Sequence, residues 1–156
     1  AKGYGLGLDY VGWQRILVPG ALEGETAPLA DVRGGRVTDQ RLGPRFSGEN
    51  HLWFHPQRED AGFTWLVDAP KTGSYELAVY FTKSWDYAVV RVSLDGRELG
   101  QFDTYAPTVT WGGKTPLGKF ELTEGAHRLR FEVAGRNPAS KGSLVGIDCI
   151  TLAPSR

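Results

Sequence analysis

The chain has 156 residues, with 18 Lys and Arg against 18 Asp and Glu, which is enough for one domain with an ordinary hydrophobic core. Its zero formal charge removes the electrostatic case for nucleic acid or an anionic membrane as the main partner. No apolar run approaches the ~18–20 residues that cross a bilayer, and no basic patch leads into an apolar stretch as in a signal peptide.

Residues 1–12 are Gly-rich and are expected to form an N-terminal extension or edge strand, with a single β-sandwich domain over 13–156. Asp31 to Arg45 is polar and reads as a loop centred on Arg33-Gly34-Gly35-Arg36. Phe63-Thr64-Trp65-Leu66-Val67 has the composition and length of a strand. After the turn-like Ala69-Pro70-Lys71-Thr72-Gly73, period-two alternation begins: Tyr75, Leu77, Val79 and Phe81 share one face. Trp85-Asp86-Tyr87 interrupts the pattern and is placed in a connection. Tyr87 to Leu94 is a strand, and Asp95-Gly96 is a tight hairpin turn leading to Arg97-Glu98-Leu99. A long connection is expected from Asp103 to Pro116. Beyond Glu124-Gly125, Leu129, Phe131 and Val133 alternate with Arg128, Arg130 and Glu132, as in a half-buried antiparallel strand. The last strand runs from Ile147 to Leu152 and stops at Pro154. No segment has helical period and caps. With 21 Gly and 9 Pro punctuating short strands, the expected fold is all-β, a sandwich or barrel.

Several chemical motifs fail on spacing. Gly112-Gly113-Lys114-Thr115 resembles the end of a phosphate loop, but Thr108 stands where its first Gly belongs and Pro116 follows at once. Gly3-Tyr4-Gly5-Leu6-Gly7 lacks the spacing of a dinucleotide fingerprint, and no Ser sits in a nucleophile elbow. His51 and His55 have no third ligand nearby and read as two surface imidazoles rather than a zinc site. The lone Cys149 cannot close an internal disulfide; inside Val145-Gly146-Ile147-Asp148-Cys149-Ile150 it reads as a buried, inert thiol. The absence of Met suggests a processed product or a piece of a larger protein.

Aromatic residues make up 12% of the chain, and several stand where strand alternation does not require them. Trp85, Tyr87, Tyr105 and Trp111 fall in or beside the expected connections, and Trp53 lies in His51-Leu52-Trp53-Phe54-His55. Flat rings on loops either cap a sandwich core or stack on an apolar ligand face such as that of a pyranose. Asp86, Asp103 and Asn137 lie beside these rings and can hydrogen-bond sugar hydroxyls. The scattered carboxylates do not single out a pair for glycoside cleavage. Glu23 and Glu25, one residue apart, suit a hard cation such as calcium if they share a strand face. Asp148, inside an apolar segment, needs pairing, hydrogen bonds or a metal if buried.

Gly62-Phe63-Thr64-Trp65-Leu66-Val67-Asp68-Ala69-Pro70 followed by Gly73-Ser74-Tyr75-Glu76-Leu77 resembles the core of galactose-binding-like β-sandwiches, the carbohydrate-binding modules of families 6 and 35. Leu94-Asp95-Gly96, Glu124 to Leu129 and Gly146 to Leu152 match later landmarks in the same order, covering about the last two thirds of the chain. Ser84-Trp85-Asp86-Tyr87-Ala88, Phe102-Asp103-Thr104-Tyr105 and Gly135 to Ser140 also look like accessory domains of large bacterial glycan-processing proteins. The resemblance implies a jelly-roll of two antiparallel sheets that binds sugar with loops at one end. It places Asn137 as a ligand in the loop before the last strand, with Trp85, Tyr87 and Trp111 as candidates for the aromatic clamp. It also implies a structural calcium held by Glu23, Glu25 and Asp148. Asp103 to Pro116 is longer and more aromatic than the family's pattern. The expected function is a non-catalytic module that targets a larger secreted or periplasmic bacterial protein to an oligo- or polysaccharide, with a parent catalytic domain as second partner. The rivals are an interaction module packed on that parent and a small glycan-cleaving enzyme.

Overall fold

The computed structural model describes residues 18–156; the expected extension or edge strand over 1–12 lies outside the described residues. Eleven strands follow in order among the described residues: β1 (Ala21–Glu23), β2 (Leu29–Arg33), β3 (Gly35–Arg41), β4 (Asn50–Pro56), β5 (Gly62–Ala69), β6 (Gly73–Lys83), β7 (Val89–Leu94), β8 (Arg97–Asp103), β9 (Thr110–Leu122), β10 (Gly125–Gly135) and β11 (Val145–Pro154). Among the described residues the helical elements are short 3₁₀ turns at Gly24–Thr26 and Ser47–Glu49. Among the described residues no helix is long and apolar enough to cross a membrane.

The alternating sequences form the two central hydrophobic faces. One sheet has the order β3-β4-β11-β6-β9, with β1 also on β11, and the other β2-β5-β10-β7-β8; all their pairings are antiparallel. The predicted jelly-roll sandwich of two antiparallel sheets is the observed fold. Leu52, Phe54, Leu77, Val79, Phe81 and Ile147 of the first sheet meet Phe63, Trp65, Leu129 and Phe131 of the second, all essentially inaccessible to solvent. Phe63 lies 5.2 Å from Phe54 and 5.3 Å from Phe131 between ring centroids, within the range of favourable ring contacts. Each such side chain contributes roughly 1.5–3 kcal/mol by burial. The Asp95-Gly96 turn has the left-handed backbone that a two-residue hairpin needs, with φ of 49° and 86°.

Three sequence expectations change. Asp31 to Arg45 is largely strand: β2 and β3 occupy edges of different sheets, where polar residues remain solvated and the apolar period is weak. The connection after Asp103 ends at Thr110, because β9 pairs along β6 from Lys83 to Gly73. The Gly112-Gly113 dipeptide lies at a register shift in that pairing, between Tyr80 and Thr82. On β6 the even positions Ala78, Tyr80 and Thr82 are also buried. Ala78 and Tyr80 join Cys149, with Val18, Ala21 and Trp111 against them, in a second cluster on the outer side of the sheet. Cys149 is the buried thiol expected, and that burial pushes its pKa up.

Candidate functional site

Three loops converge at one end of the sandwich: 84–88 between β6 and β7, 104–109 between β8 and β9, and 136–144 between β10 and β11. Backbone hydrogen bonds tie them together. Ser84 N–H donates to Thr104 O, Lys141 N–H to Trp85 O at 2.9 Å, and Leu144 N–H to Asp86 O at 3.1 Å. The Ser140 hydroxyl donates to Tyr87 O at 2.8 Å, so the long loop is braced against the short one. Trp85 is carried at the surface of this assembly with 49% of its area exposed.

At the same end, Asn137 Nδ2 donates to Asp103 Oδ2 at 2.7 Å, and Tyr105 N–H donates to Asp103 Oδ1 at 3.0 Å. Ala139 N–H donates to Asn137 Oδ1 at 2.9 Å. Both side chains are thereby held in fixed orientation, while Asp103 stays exposed and retains acceptor capacity. Trp85, Asp103, Tyr105 and Asn137 therefore share this end, and Asp86 lies on the same loop, half-buried, with its backbone under Gly142.

Two expected clamp rings are elsewhere or covered. Tyr87 is 3% exposed, and burial raises its phenol pKa; its side chain lies beside the Trp53 indole. It packs over Gly146, where a Cβ would come within 2.7 Å of both the Tyr87 and His51 rings. Trp111 stands on β9, where it stacks on Tyr80 with centroids 5.9 Å apart and planes 19° from parallel. Its Nε1–H donates to Asp148 Oδ2 at 3.0 Å. Position in sequence suggested a loop; pairing with β6 puts Trp111 on the sheet.

His51 corrects the expectation of two surface imidazoles. It is fully buried; its ring meets Thr82 Oγ1 at 2.9 Å and Gln40 Oε1 at 3.0 Å. Gln40 is an acceptor there, so Nε2 carries the proton and Nδ1 accepts from Thr82. Burial holds its pKa down to about 4. His55 is only partly buried, against Trp53 at 4.1 Å and Thr38 at 3.1 Å. The alternation of His51, Trp53 and His55 with Leu52 and Phe54 was the signal that this segment is a strand.

The acidic residues form a second region. The register of β11 on β6 shifts between Ile147 and Cys149, so Asp148 is an extra residue at a bulge. Ile147 and Ile150 face the core while Asp148 meets the outer side. Glu23 ends β1 opposite Cys149; Glu25 lies in the 3₁₀ turn Gly24–Thr26 rather than on a strand, as its spacing from Glu23 had suggested. Ser47 N–H donates to Asp148 Oδ2 at 2.9 Å, and Ser47 Oγ to Glu23 Oε1 at 2.5 Å. Burial first, and then the charges of Glu23 and Glu25, raise the Asp148 carboxyl to about 7. The Glu25 carboxyl is raised too, chiefly by burial, with Glu23 and Asp39 adding to the shift.

The calcium implied by the resemblance is tested by these oxygens. Among the described residues, Glu23 Oε2, Glu25 Oε2 and Asp148 Oδ1 are buried without a hydrogen-bond partner, each costing about 1–3 kcal/mol or more if left so. Gly48, at φ 63°, lets the Ser47–Glu49 turn lie against them: a Cβ there would stand 2.7 Å from Glu25 Oε1 and 3.2 Å from Glu23 Oε2. Among the described residues no group of three or more His, Cys, Asp or Glu side chains is placed so that it could hold a metal ion. The fit thus rests on the three orphaned oxygens and their mutual repulsion, which a hard divalent cation relieves.

No protein-family profile matches this chain, and no curated protein sequence does. Solved structures match instead. A xanthan lyase from Paenibacillus superposes with a TM-score of 0.78 at 21% identity, over 90% of this chain and 14% of that one. The family 35 carbohydrate-binding module from Paenibacillus barcinonensis gives 0.55 at 18% identity, over 86% of this chain and 98% of the module. A family 35 module from Clostridium thermocellum gives 0.55 at 16%, over 86% and 97%. The chain thus corresponds to a small part of the lyase and to nearly the whole of each module, and its fold is that of the family 35 carbohydrate-binding modules.

Proposed function

We propose that this domain is a non-catalytic carbohydrate-binding module, secreted as part of a larger glycan-active protein that it holds on its polysaccharide. The observation that carries this reading is the half-exposed Trp85 ring on the same loop end as the braced Asp103–Asn137 pair. The indole offers a stacking surface for the C–H face of a pyranose, while Asp103 accepts from sugar hydroxyls and Asn137 and Tyr105 flank it. No proton transfer or bond cleavage is assigned to these groups. Glu23, Glu25 and Asp148 would hold calcium, whose charge neutralises the buried carboxylates and fixes β1 and the Ser47–Glu49 turn against β11; its role is structural. The whole-module matches support the reading through fold.

The test is native affinity electrophoresis through gels containing xanthan, xylan, β-1,4-mannan, β-1,3-galactan or dextran, with calcium and with chelator. Retardation by one polymer, lost in Trp85→Ala, is the expected result. Free migration of the folded protein through every gel would overturn the reading. Self-association through Trp85 and the exposed Val109 would then favour a docking role on a parent domain.

A further inference from the structure

The loop that carries Asn137 has a second side. Where the β4–β5 connection meets the end of β10, Glu59, Asp60, Val133, Ala134, Arg136 and Ser143 line a groove of about 490 Å³, a size typical of small-molecule sites. Val133 and Ala134 are partly buried and give it an apolar base, while Glu59, Asp60 and Arg136 are exposed at its edges. Carboxylates and a guanidinium face the same space, yet among the described residues no ion pair joins them. Their polar atoms are left for a ligand. Two acceptor groups, a planar fork of donors and the Ser143 hydroxyl around an apolar base suit a neutral polyol better than an ion, since either sign of charge meets a like charge.

Arg136 and Ser143 are also the two stems of the loop whose Asn137 bonds Asp103. That loop is stiffened by the Asn137 contact and tied by Ser140 to the loop that carries Trp85, so one braced segment serves both groove and ring. We infer that this groove is a second glycan subsite, taking an uncharged sugar unit of the same chain that stacks on Trp85. The inference rests on the carbohydrate-binding reading. It makes the ligand a stretch of several residues rather than a single terminal sugar.

The experiment is calorimetric titration with purified disaccharides and hexasaccharides of whichever of those five polymers retards the wild type. Three proteins are compared: wild type, Trp85→Ala, and the double variant Glu59→Gln with Arg136→Ala. All three changes are at exposed positions, and melting curves verify that each variant is folded. The wild type should bind the hexasaccharide about tenfold more tightly than the disaccharide, the scale of one or two hydrogen bonds to charged groups. The double variant should lose that gain and keep the disaccharide affinity within about twofold. A gain that survives in the double variant, or a wild type with equal affinity for both lengths, overturns the subsite while leaving the module reading intact. A wild type retarded by no polymer overturns the module reading, and the subsite falls with it.

Discussion

Trp85 and Trp111 belong to the same kind of sequence, a bulky ring near a break in alternation, yet they occupy opposite situations. Trp85 stands at the meeting of three mutually braced loops with half its surface in water. Trp111 lies on a strand, stacked on Tyr80, with its N–H on the buried Asp148 carboxylate. The difference separates a ring left to solvent from one tied into the sheet. The loop end leaves an indole half in water; the acidic region stacks Trp111 on Tyr80 and, among the described residues, leaves three buried oxygens without a partner. An unspent apolar face points to a ligand, and an unspent buried carboxylate points to a cation.

Calcium gives the largest expected effect. At a hundredfold excess over its Kd, an ion bound only to the folded state stabilises by about 2.7 kcal/mol. A higher melting temperature with calcium than with chelator is therefore expected, and Glu25→Gln with Asp148→Asn should erase the difference. An unchanged melting point in the wild type would remove calcium and leave Asp148 simply protonated in its site. Next is Trp111→Ala, expected to cost about 2 kcal/mol in urea unfolding, since a half-buried ring loses less than the ~3–5 kcal/mol of a fully buried one. Its polymer retention should persist. Loss of binding with unchanged stability would instead restore Trp111 to the clamp. The complementary change, Trp85→Ala, should weaken polymer binding about tenfold or more, about 1.4 kcal/mol, with no shift in the melting curve.

The strands that were legible have a period visible in their own residues. Tyr75, Leu77, Val79 and Phe81, and likewise Leu129 and Phe131, announce a buried face in their own spacing. β9 has no such period: its Gly, Lys and Pro residues become a strand because β6 offers a complete edge to pair with. Trp111 could not be placed without that pairing. Tyr87 likewise read as available because its covering neighbour, Gly146, is far away in sequence. The acids were found by residue type, but the bulge that turns Asp148 toward them is a property of β11 and β6 together. Trp85 and Asn137 were recoverable because each sits in a connection between recognisable strands, and Asp103 because it ends the strand beside them.

A finer test of the division is pH dependence in the presence of chelator. Asp148 is raised to about 7 from 3.8. The folded state therefore holds its proton more tightly, and its burial becomes progressively destabilising as pH rises from about 4 to 7. His51 acts in the opposite sense. Its pKa is lowered from 6.5 to about 4, so its neutral ring contributes stability above pH 6.5 that is lost as pH falls toward 4. His127 is raised, first by its hydrogen bond to Asp95; its contribution is present below pH 6.5 and is lost as pH rises through the folded value. These opposed trends flatten the wild-type curve, so the informative quantity is the difference between variants measured in the same buffers. Asp148→Asn should gain on the wild type steadily between pH 4 and 7 and then level off. His51→Gln should do the reverse and lose least, relative to wild type, in acid. Polymer retention, read in those buffers, belongs to the loop end and should not follow the Asp148 difference curve. If it does, the carboxylates govern the sugar surface, and the two regions form one site.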